Sequence, residues 1–393
     1  MNKTLVIGGS NGIGLAVAAV LLHQGNTVCI IDKDSPDKPL PPSDRLSFQQ
    51  VNLLDTDFGF LDNFQDYDSL VFTAGFGRVA RFETMQEAEI DNGFCVNTVS
   101  ALKVIRHFYP RMLSDKPFYC AVMGSIAGLV SSPLFALYGA AKAALCRAIE
   151  SINIELEMSG SDNRILNVSP GSISGTRFNG GENDLSQTAV LAEEIVRRML
   201  SRETLFIPQY DEIYKDVIAR YHADAHQYGI DSFNYKMSHG RLNDRPQLKV
   251  GYLSGTFDLF HIGHLNLLRN ARQYCDYLVV GVHRDASHKG KETLLSFEDR
   301  MTIVGGCRYV NQVIPSEPED CDVYLKGIVK YDYLFVGSDY KDTDRFKRYE
   351  QIFSDKGVRI VYFPYTQGIS STQLREAIRT SKSYKSYEER QNN

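Results

Sequence analysis

Tyr138 and Lys142 stand four residues apart in GSIAGLVSSPLFALYGAAK, with Ser125 thirteen positions before the tyrosine. On a helix, that spacing puts phenol and ammonium on one face. An ammonium beside a phenol stabilises phenolate and lowers the phenol's pKa. Such a phenol can hand a proton to a carbonyl oxygen while hydride arrives at carbon. A serine hydroxyl close by can polarise the same carbonyl. An ordinary helix with a core tyrosine and a surface lysine would carry the same two letters, so the pair needs company.

A second constellation is GTFDLFHIGH, Gly255 to His264. His261 and His264 lie three residues apart where a helix is expected to start, so both imidazoles can approach one phosphate while the helix N-terminus adds its dipole. Nucleotidyl transfer asks for charge stabilisation at the α-phosphorus, not for a covalent nucleophile. H-x-x-H could also hold zinc, but no third ligand cluster stands near it in the sequence. His222 and His226, in HADAH, have i,i+4 spacing and read as one side of a solvated amphipathic helix. No resident metal site is expected.

Elements must hold these groups in place. Strands are expected at Leu5–Ile7, Thr27–Ile31, Leu46–Val51, Ser69–Thr73, Phe118–Met123, Arg164–Val168 and Leu205–Ile207, separated by longer helical stretches. That alternation predicts βαβ units and a parallel sheet. The first strand runs into Gly8, Gly12 and Gly14, a turn that lets a backbone approach a pyrophosphate at a helix N-terminus. Asp32 ends the second strand, 18 positions after Gly14, where a carboxylate can accept a ribose hydroxyl. A carboxylate there repels a 2′-phosphate, which favours NAD(H); Lys33 beside it leaves NADP(H) open. A new series of strands begins at LKVGYLSG and continues through Tyr277–Val282, Gln312–Ile314, Tyr333–Gly337 and Arg359–Phe363. Two α/β domains are therefore expected, each a parallel sheet covered by helices on both faces. The bounds are 1–208 and 248–380, with a helical connector or oligomerisation arm at 209–247 and a polar tail at 381–393.

Composition narrows the functional classes. The chain has 393 residues, 43% hydrophobic and 23% charged, with net charge −5. No basic block suggests nucleic acid, and no apolar run reaches the roughly 18 residues that span a bilayer. The seven cysteines are scattered without a C-x-x-C pair, as in a reduced, cytoplasmic protein.

With the wider motifs in view, about 200 residues resemble the short-chain dehydrogenase/reductase family. The matching pieces are the glycine turn, TAG (Thr73–Gly75), Asn97 in CVNTVSA, Ser125, Tyr138, Lys142, and NVSPGSI (Asn167–Ile173). The resemblance implies a catalytic tetrad of Asn97, Ser125, Tyr138 and Lys142. It implies cofactor contacts at Gly8, Ser10, Asn11, Gly12, Ile13, Gly14, Asp32, Ala74, Gly75, Pro170, Gly171 and Ile173. Ile7, Phe72-Thr73 and Asn52 depart from the family pattern around the cofactor. The loop TRFNGGENDLSQ is short and polar, which suits a small hydrophilic substrate, and its Arg177 is a candidate phosphate ligand.

Roughly 130 later residues resemble the cytidylyltransferases of the glycerol-phosphate type. The matching pieces are GTFDLFHIGH, SHKGKE, SFEDRM with Arg300, CRYV, VGSDY and GISSTQLR. The resemblance assigns His261, His264 and Lys289 to catalysis. It assigns nucleotide contacts to Gly255, Thr256, Phe257, Lys291, Arg308, Asp339, Gly368, Ile369, Ser370, Ser371 and Thr372. Tyr365 stands where the family has an arginine. Both halves are thus expected to be Rossmann-like domains. Together they imply reduction of a ketose phosphate followed by CTP-dependent transfer, with Mg²⁺ on the nucleotide, giving a CDP-polyol for capsule or teichoic-acid-like polymer. Ribulose 5-phosphate is the favoured ketose. The alternative is a glycerol- or mannitol-phosphate cytidylyltransferase regulated by a cofactor-binding, reductase-like module. Both families lead to the expectation of a homodimer or homotetramer.

Overall fold

The computed structural model describes residues 2–36, 40–179, 182–244, 248–285, 292–364, 366, 368 and 371–380. The chain divides into two compact units, Met1–Gln247 and Leu248–Asn393.

The first unit runs β1 (Lys3–Ile7), α1 (Gly12–His23), β2 (Thr27–Asp32), β3 (Leu46–Gln50), β4 (Ser69–Phe72), α2 (Glu87–Phe94), α3 (Ser100–Met112), β5 (Tyr119–Met123), α4 (Ala136–Met158), β6 (Ile165–Val168), α5 (Leu185–Leu200), β7 (Leu205–Phe206), α6 (Lys215–Ala223) and α7 (Ala225–Ser238). Its sheet has the order β3-β2-β1-β4-β5-β6-β7, and every pairing is parallel. Parallel strands covered on both faces read as nearly continuous apolar runs, and β1 and β2 do. Because successive side chains alternate, Leu5 and Ile7 enter one core with Phe72, Phe108 and Leu145. Val6 enters the opposite core with Leu15, Val28 and Ile195. The fifth strand starts at Tyr119 because the Phe118 amide donates to Asn163 Oδ1 (2.8 Å) outside the ladder.

The second unit runs β8 (Val250–Gly255), α8 (Ile262–Arg272), β9 (Tyr277–Val282), α9 (Phe297–Gly305), β10 (Gln312–Pro315), α10 (Asp320–Leu325), β11 (Tyr333–Gly337), α11 (Asp344–Phe353), β12 (Arg359–Phe363) and α12 (Ser371–Thr380). Its sheet is also parallel, in the order β10-β9-β8-β11-β12. Alternation again makes two cores, one holding Leu253 and Val280 and the other Tyr252 and Val279.

In both sheets the order reverses beside the first strand, between β1 and β4 and between β8 and β11. Ligands of open α/β sheets bind at such a switch point, beyond the carboxyl ends of the strands. Both glycine-bearing turns lie there. Segment 209–247, expected as a connector or arm, belongs by its contacts to the first unit. Lys236 of α7 donates to Ser132 Oγ and Pro133 O, both at 2.7 Å, and the Asn243 amide donates to Val79 O at 2.7 Å.

Candidate active sites

The first turn is pressed against the end of β4. Gly8 has φ +87°, and a Cβ on it would lie 2.3 Å from the Ala74 nitrogen. A Cβ on Gly14 would lie 2.3 Å from Gly8 O, so both positions exclude a side chain. Thr73 clamps the turn from below, donating through Oγ1 to Gly8 O (2.9 Å) and Ile7 O (3.2 Å). Asp32 holds it from the side, accepting from the Ser10 amide (3.0 Å) and the Lys33 amide (2.8 Å). Burial raises the Asp32 pKa, and the hydrogen bonds from these amides oppose the rise. Asn11 places no side-chain cap on α1. Instead the Gly12 amide donates to Asn183 Oδ1 (2.8 Å), whose own Nδ2 is buried without a partner. A helix N-terminus that already binds an oxygen from another loop, beside a cradle no Cβ can fill, fits the pyrophosphate of a dinucleotide. Ile13 packs its side chain toward the core behind this turn.

The catalytic candidates gather beyond β4, β5 and β6. Asn97 lies in a π turn, Cys95–Val99, that interrupts the path from α2 to α3; such bulges re-aim side chains at functional sites. Its Nδ2 donates to Phe76 O (2.8 Å) and Gly93 O (2.9 Å), and its Oδ1 accepts from the Phe76 amide (3.2 Å). Gly75 leaves room for both Asn97 and Lys142: a Cβ there would meet Asn97 Oδ1 at 2.7 Å and Lys142 Nζ at 3.3 Å. Lys142 Nζ donates to Met123 O (2.7 Å) and lies 5.7 Å from the centre of the Tyr138 ring. Ser125 caps a short turn through the Ala127 amide (3.2 Å) and reaches Pro170 O at 3.5 Å. Tyr138 stacks on Phe135 (centroids 4.4 Å apart), stands 5.1 Å from Phe178, and leaves no space for a side chain on Gly77.

All four groups are buried: Asn97 and Lys142 are 1% exposed, Ser125 7% and Tyr138 8%. That burial bears on the ionisation of two of them. Desolvation holds the Tyr138 phenol well above its ordinary pKa, opposed by a hydrogen bond with Ser125. The same desolvation brings Lys142 down to about 8. In this arrangement burial is the largest influence on both groups. The Tyr138 phenol is held neutral, and Lys142 is a cation held at some cost.

In the second unit the two histidines cap the helix that carries them. His261 Nδ1 accepts from the Gly263 amide (3.1 Å), and His264 Nδ1 accepts from the His261 amide (3.4 Å). The rings stack with centroids 3.9 Å apart. With Nδ1 accepting, each proton belongs on Nε2. His261 Nε2 faces Ser371 Oγ (3.3 Å), which donates to Asp258 O (2.7 Å). Burial lowers the His261 pKa. Phe257 and Leu259 both have positive φ, 53° and 48°, so the turn stores strain that its neighbours must hold. Of those neighbours, Arg300 and Arg375 fall in the SFEDRM and GISSTQLR motifs, without a structural role read for them from sequence, and Asp258 falls within GTFDLFHIGH. Asp258 accepts from the Leu294 and Leu295 amides and pairs with Arg375 Nη2 at 2.6 Å. Arg300, fully buried, donates to Thr256 O, His283 O and Arg284 O at 2.6–2.7 Å. Thr256 Oγ1 is buried without a partner.

The remaining expected residues sort themselves by position. Gly255, Thr256, His261, His264, Ser371 and Thr372 lie at the switch-point end, with Asp339 in the turn after β11 and Gly368 (φ +86°) before α12. The Phe257 side chain is 3% exposed and belongs to the core, which leaves its backbone to face the turn. Arg308 is corrected. It precedes β10, whose first residue pairs with Val279 near the start of β9, so its backbone lies toward the amino end of the sheet, opposite the turn. Lys289, Lys291, Ile369, Ser370, Tyr365 and the tail 381–393 lie outside the described residues. Pro170 accepts from the Ile126 amide (3.0 Å), and Ile173 O accepts from Thr176 Oγ1 (3.0 Å). Arg177 sits in a short turn with Phe178, beside the Tyr138 ring. Gly171 is packed under the Tyr214 hydroxyl, a contact across 43 positions that no motif announced. Among the described residues no three His, Cys, Asp or Glu side chains form a metal cluster, and no helix is long and apolar enough to cross a membrane.

Residues 252–377 match the Cytidylyltransferase-like family, and residues 54–186 match the short chain dehydrogenase family. The glycerol-3-phosphate cytidylyltransferase of Bacillus subtilis is 36% identical over 129 residues, which is 32% of this chain and 92% of that protein. The bifunctional protein HldE of Granulibacter bethesdensis is 41% identical over 101 residues, 25% of this chain; the chain spans only 21% of that protein's length. The ethanolamine-phosphate cytidylyltransferase of Arabidopsis thaliana is 34% identical over 110 residues, 27% of this chain and 26% of that protein. Among solved structures, a short-chain dehydrogenase from Streptomyces avermitilis aligns at 22% identity with a TM-score of 0.49, covering 61% of this chain and 99% of that one. The chain therefore belongs to the cytidylyltransferase-like family through its second unit and carries a short-chain dehydrogenase domain as its first, two enzyme domains on one polypeptide.

Proposed function

We propose that the protein reduces a ketose phosphate to a polyol phosphate and then couples that product to CMP from CTP. The observation that carries this reading is that both sites keep their chemistry on one chain. Asn97, Ser125, Tyr138 and Lys142 converge in one unit, and paired, stacked histidines cap α8 in the other.

In the first step the nicotinamide cofactor, when bound, supplies hydride to the carbonyl carbon. Ser125 polarises the carbonyl oxygen, and Tyr138 gives it the proton that completes the hydroxyl. Lys142 and Asn97 fix the site around Gly75. Gly8, Ser10, Asn11, Gly12, Ile13, Gly14, Ala74, Gly75, Pro170, Gly171 and Ile173 line the cofactor's path, and Asp32 favours NAD(H) over NADP(H). In the second step an oxygen of the polyol phosphate attacks the α-phosphorus of CTP, and pyrophosphate leaves. His261 and His264 donate through Nε2 to the charge that builds on the phosphates, and Mg²⁺ arrives with the nucleotide. The product is a CDP-polyol, a donor suited to capsule or teichoic-acid-like polymer. Ribulose 5-phosphate, giving ribitol 5-phosphate, is the favoured substrate; fructose 6-phosphate and dihydroxyacetone phosphate are the competitors. The reading includes a cytoplasmic homo-oligomer.

The test is mass spectrometry on purified protein with NADH or NADPH, CTP, Mg²⁺ and each ketose phosphate in turn. A CDP-polyol that requires both reductant and CTP is expected, lost in Tyr138→Phe and restored by ready-made polyol phosphate. Cytidylylation of a polyol phosphate with no cofactor oxidation on any ketose phosphate would overturn the two-step reading in favour of a regulatory first unit.

A further inference from the structure

The N-terminus of α1 is met by a side chain from a distant loop. The Gly12 amide, the first of the helix, donates to Asn183 Oδ1 at 2.8 Å, across 171 positions. Asn183 is 6% exposed, and its place is firmly built. It precedes Asp184, which caps α5 through the Ser186 amide (3.0 Å) and whose own amide donates to Gly175 O (3.0 Å). Gly175 has φ +73°, and a Cβ there would lie 2.7 Å from Asp184 O, so the two ends of the loop are in close contact. Thr176, next along, comes within 3.5 Å of a Cβ built on Gly12. α5 and α1 share one core, through Ile195 and Leu15 among others. The loop therefore reaches the first turn of α1 from a fixed base.

Donors outnumber acceptors at this end of the helix. Asn11 places no side-chain oxygen on it. The Ile13 and Gly14 amides have no acceptor among the described residues. Asn183 adds to the excess. A carboxamide is one plane with an acceptor oxygen and two N–H donors. The Gly12 amide can only donate, which fixes the oxygen toward it and leaves Nδ2 beside the same turn. That nitrogen is buried without a partner. A buried N–H of this kind carries its full desolvation cost and calls for an acceptor that the chain itself does not provide. Backbone amides and a side-chain N–H, gathered at the positive end of a helix dipole, suit an oxyanion.

We infer that Asn183 is a ligand of the cofactor's diphosphate: its Oδ1 holds the Gly12 amide in place, and its Nδ2 donates to a phosphate oxygen. This rests on the reading of the first unit as a nicotinamide-dependent reductase, and adds to it a binding residue from outside the glycine turn. The same loop carries Phe178, whose ring centre is 5.1 Å from that of Tyr138. One segment thus meets the cofactor's diphosphate at one end and flanks the proton donor at the other.

The test is binding, with no turnover required. Dissociation constants of NADH, NADPH and ADP-ribose are measured by calorimetry on the full-length native protein, Asn183→Ala and Asn183→Asp, with thermal denaturation alongside. Asn183→Ala should weaken ADP-ribose and the preferred reduced cofactor about tenfold, the loss of one hydrogen bond to a charged acceptor. Asn183→Asp keeps an oxygen for the Gly12 amide and sets a negative charge at the helix N-terminus, so it should unfold at a higher temperature than Asn183→Ala. It should nevertheless bind both ligands more weakly than Asn183→Ala, because its second oxygen repels the diphosphate. A residue that only shaped the turn would give one order for both measurements, with Asn183→Asp nearer the native protein in affinity as in stability. Adenosine, which has the base and ribose without the diphosphate, should compete with the cofactor equally well in all three proteins. Unchanged dissociation constants, tighter binding in Asn183→Ala, or an equal loss for adenosine would overturn the assignment. If the native protein binds none of NADH, NADPH and ADP-ribose, the reductase reading itself fails and the inference falls with it.

Discussion

The two sites occupy the same place in two similar sheets and treat their ionisable groups in opposite ways. Around Tyr138 every candidate is buried, and burial moves both the phenol and the ammonium toward neutrality. Around His261 and His264 the groups are half-buried, and their protons are placed by backbone amides. A proton donor to a carbonyl needs a dry site and a retained proton. Donors to a triphosphate need only to point outward at a highly charged substrate.

That contrast can be broken by exchange of function. Tyr138→Phe should lower ketose reduction by about 10²–10⁴-fold, the range for a lost general acid, and leave cytidylyl transfer unchanged when polyol phosphate is supplied. His264→Ala should do the reverse, costing about 10²–10³-fold in transfer as lost transition-state donors do, with reduction intact. A variant that harmed both activities equally would remove the distinction. Gly8→Ala should destabilise the first unit by roughly 2–4 kcal/mol, since it combines positive φ with a backbone clash. It would appear as reductase activity lost at lower temperature than transferase activity.

A sharper test uses pH. Lys142 titrates near 8 when folded, below the ordinary lysine value of 10.5. Between these values the unfolded chain holds the extra proton, so this group's contribution to stability rises with pH. Below pH 8 its burial is a constant cost. The native protein should therefore gain stability relative to Lys142→Met between pH 8 and 10.5, by roughly 3 kcal/mol at most, in denaturant titrations of the first unit. A flat difference would show that Lys142 keeps its charge. The smallest effect is expected from Thr73→Val, which unclamps the glycine turn and should raise the cofactor KM a few-fold, about one lost hydrogen bond.

Local pattern made the strands, the glycine turns and the Tyr138–Lys142 pair legible, because each depends on neighbours a few positions away. Long-range placement was not legible. Nothing near Asp258 announces Arg375, 117 positions on, and nothing near Gly171 announces Tyr214. Arg308 shows the converse error. A motif suggested a nucleotide contact, but the crossover through α9 carries its backbone toward the opposite end of the sheet. The motif gives Phe257 a place beside the nucleotide without saying that its ring, at a positive φ, lies in the core. The polar, tyrosine-rich segment after β7 looked like a spacer because its anchors are single side chains at wide separations.

The strand orders bear on synthesis as well as on binding. β1 and β8 are the first strands of their units to leave the ribosome, yet each ends in the interior of its sheet, with a neighbour on both edges. β1 must wait for β2 on one edge and for β4 on the other, some 40 residues later. During that interval an apolar strand has an unpaired edge, the condition under which nascent chains associate wrongly. The first sheet, whose last strand ends at Phe206, can be complete before Val250 is made. The two halves are thus exposed to that hazard in turn, never together.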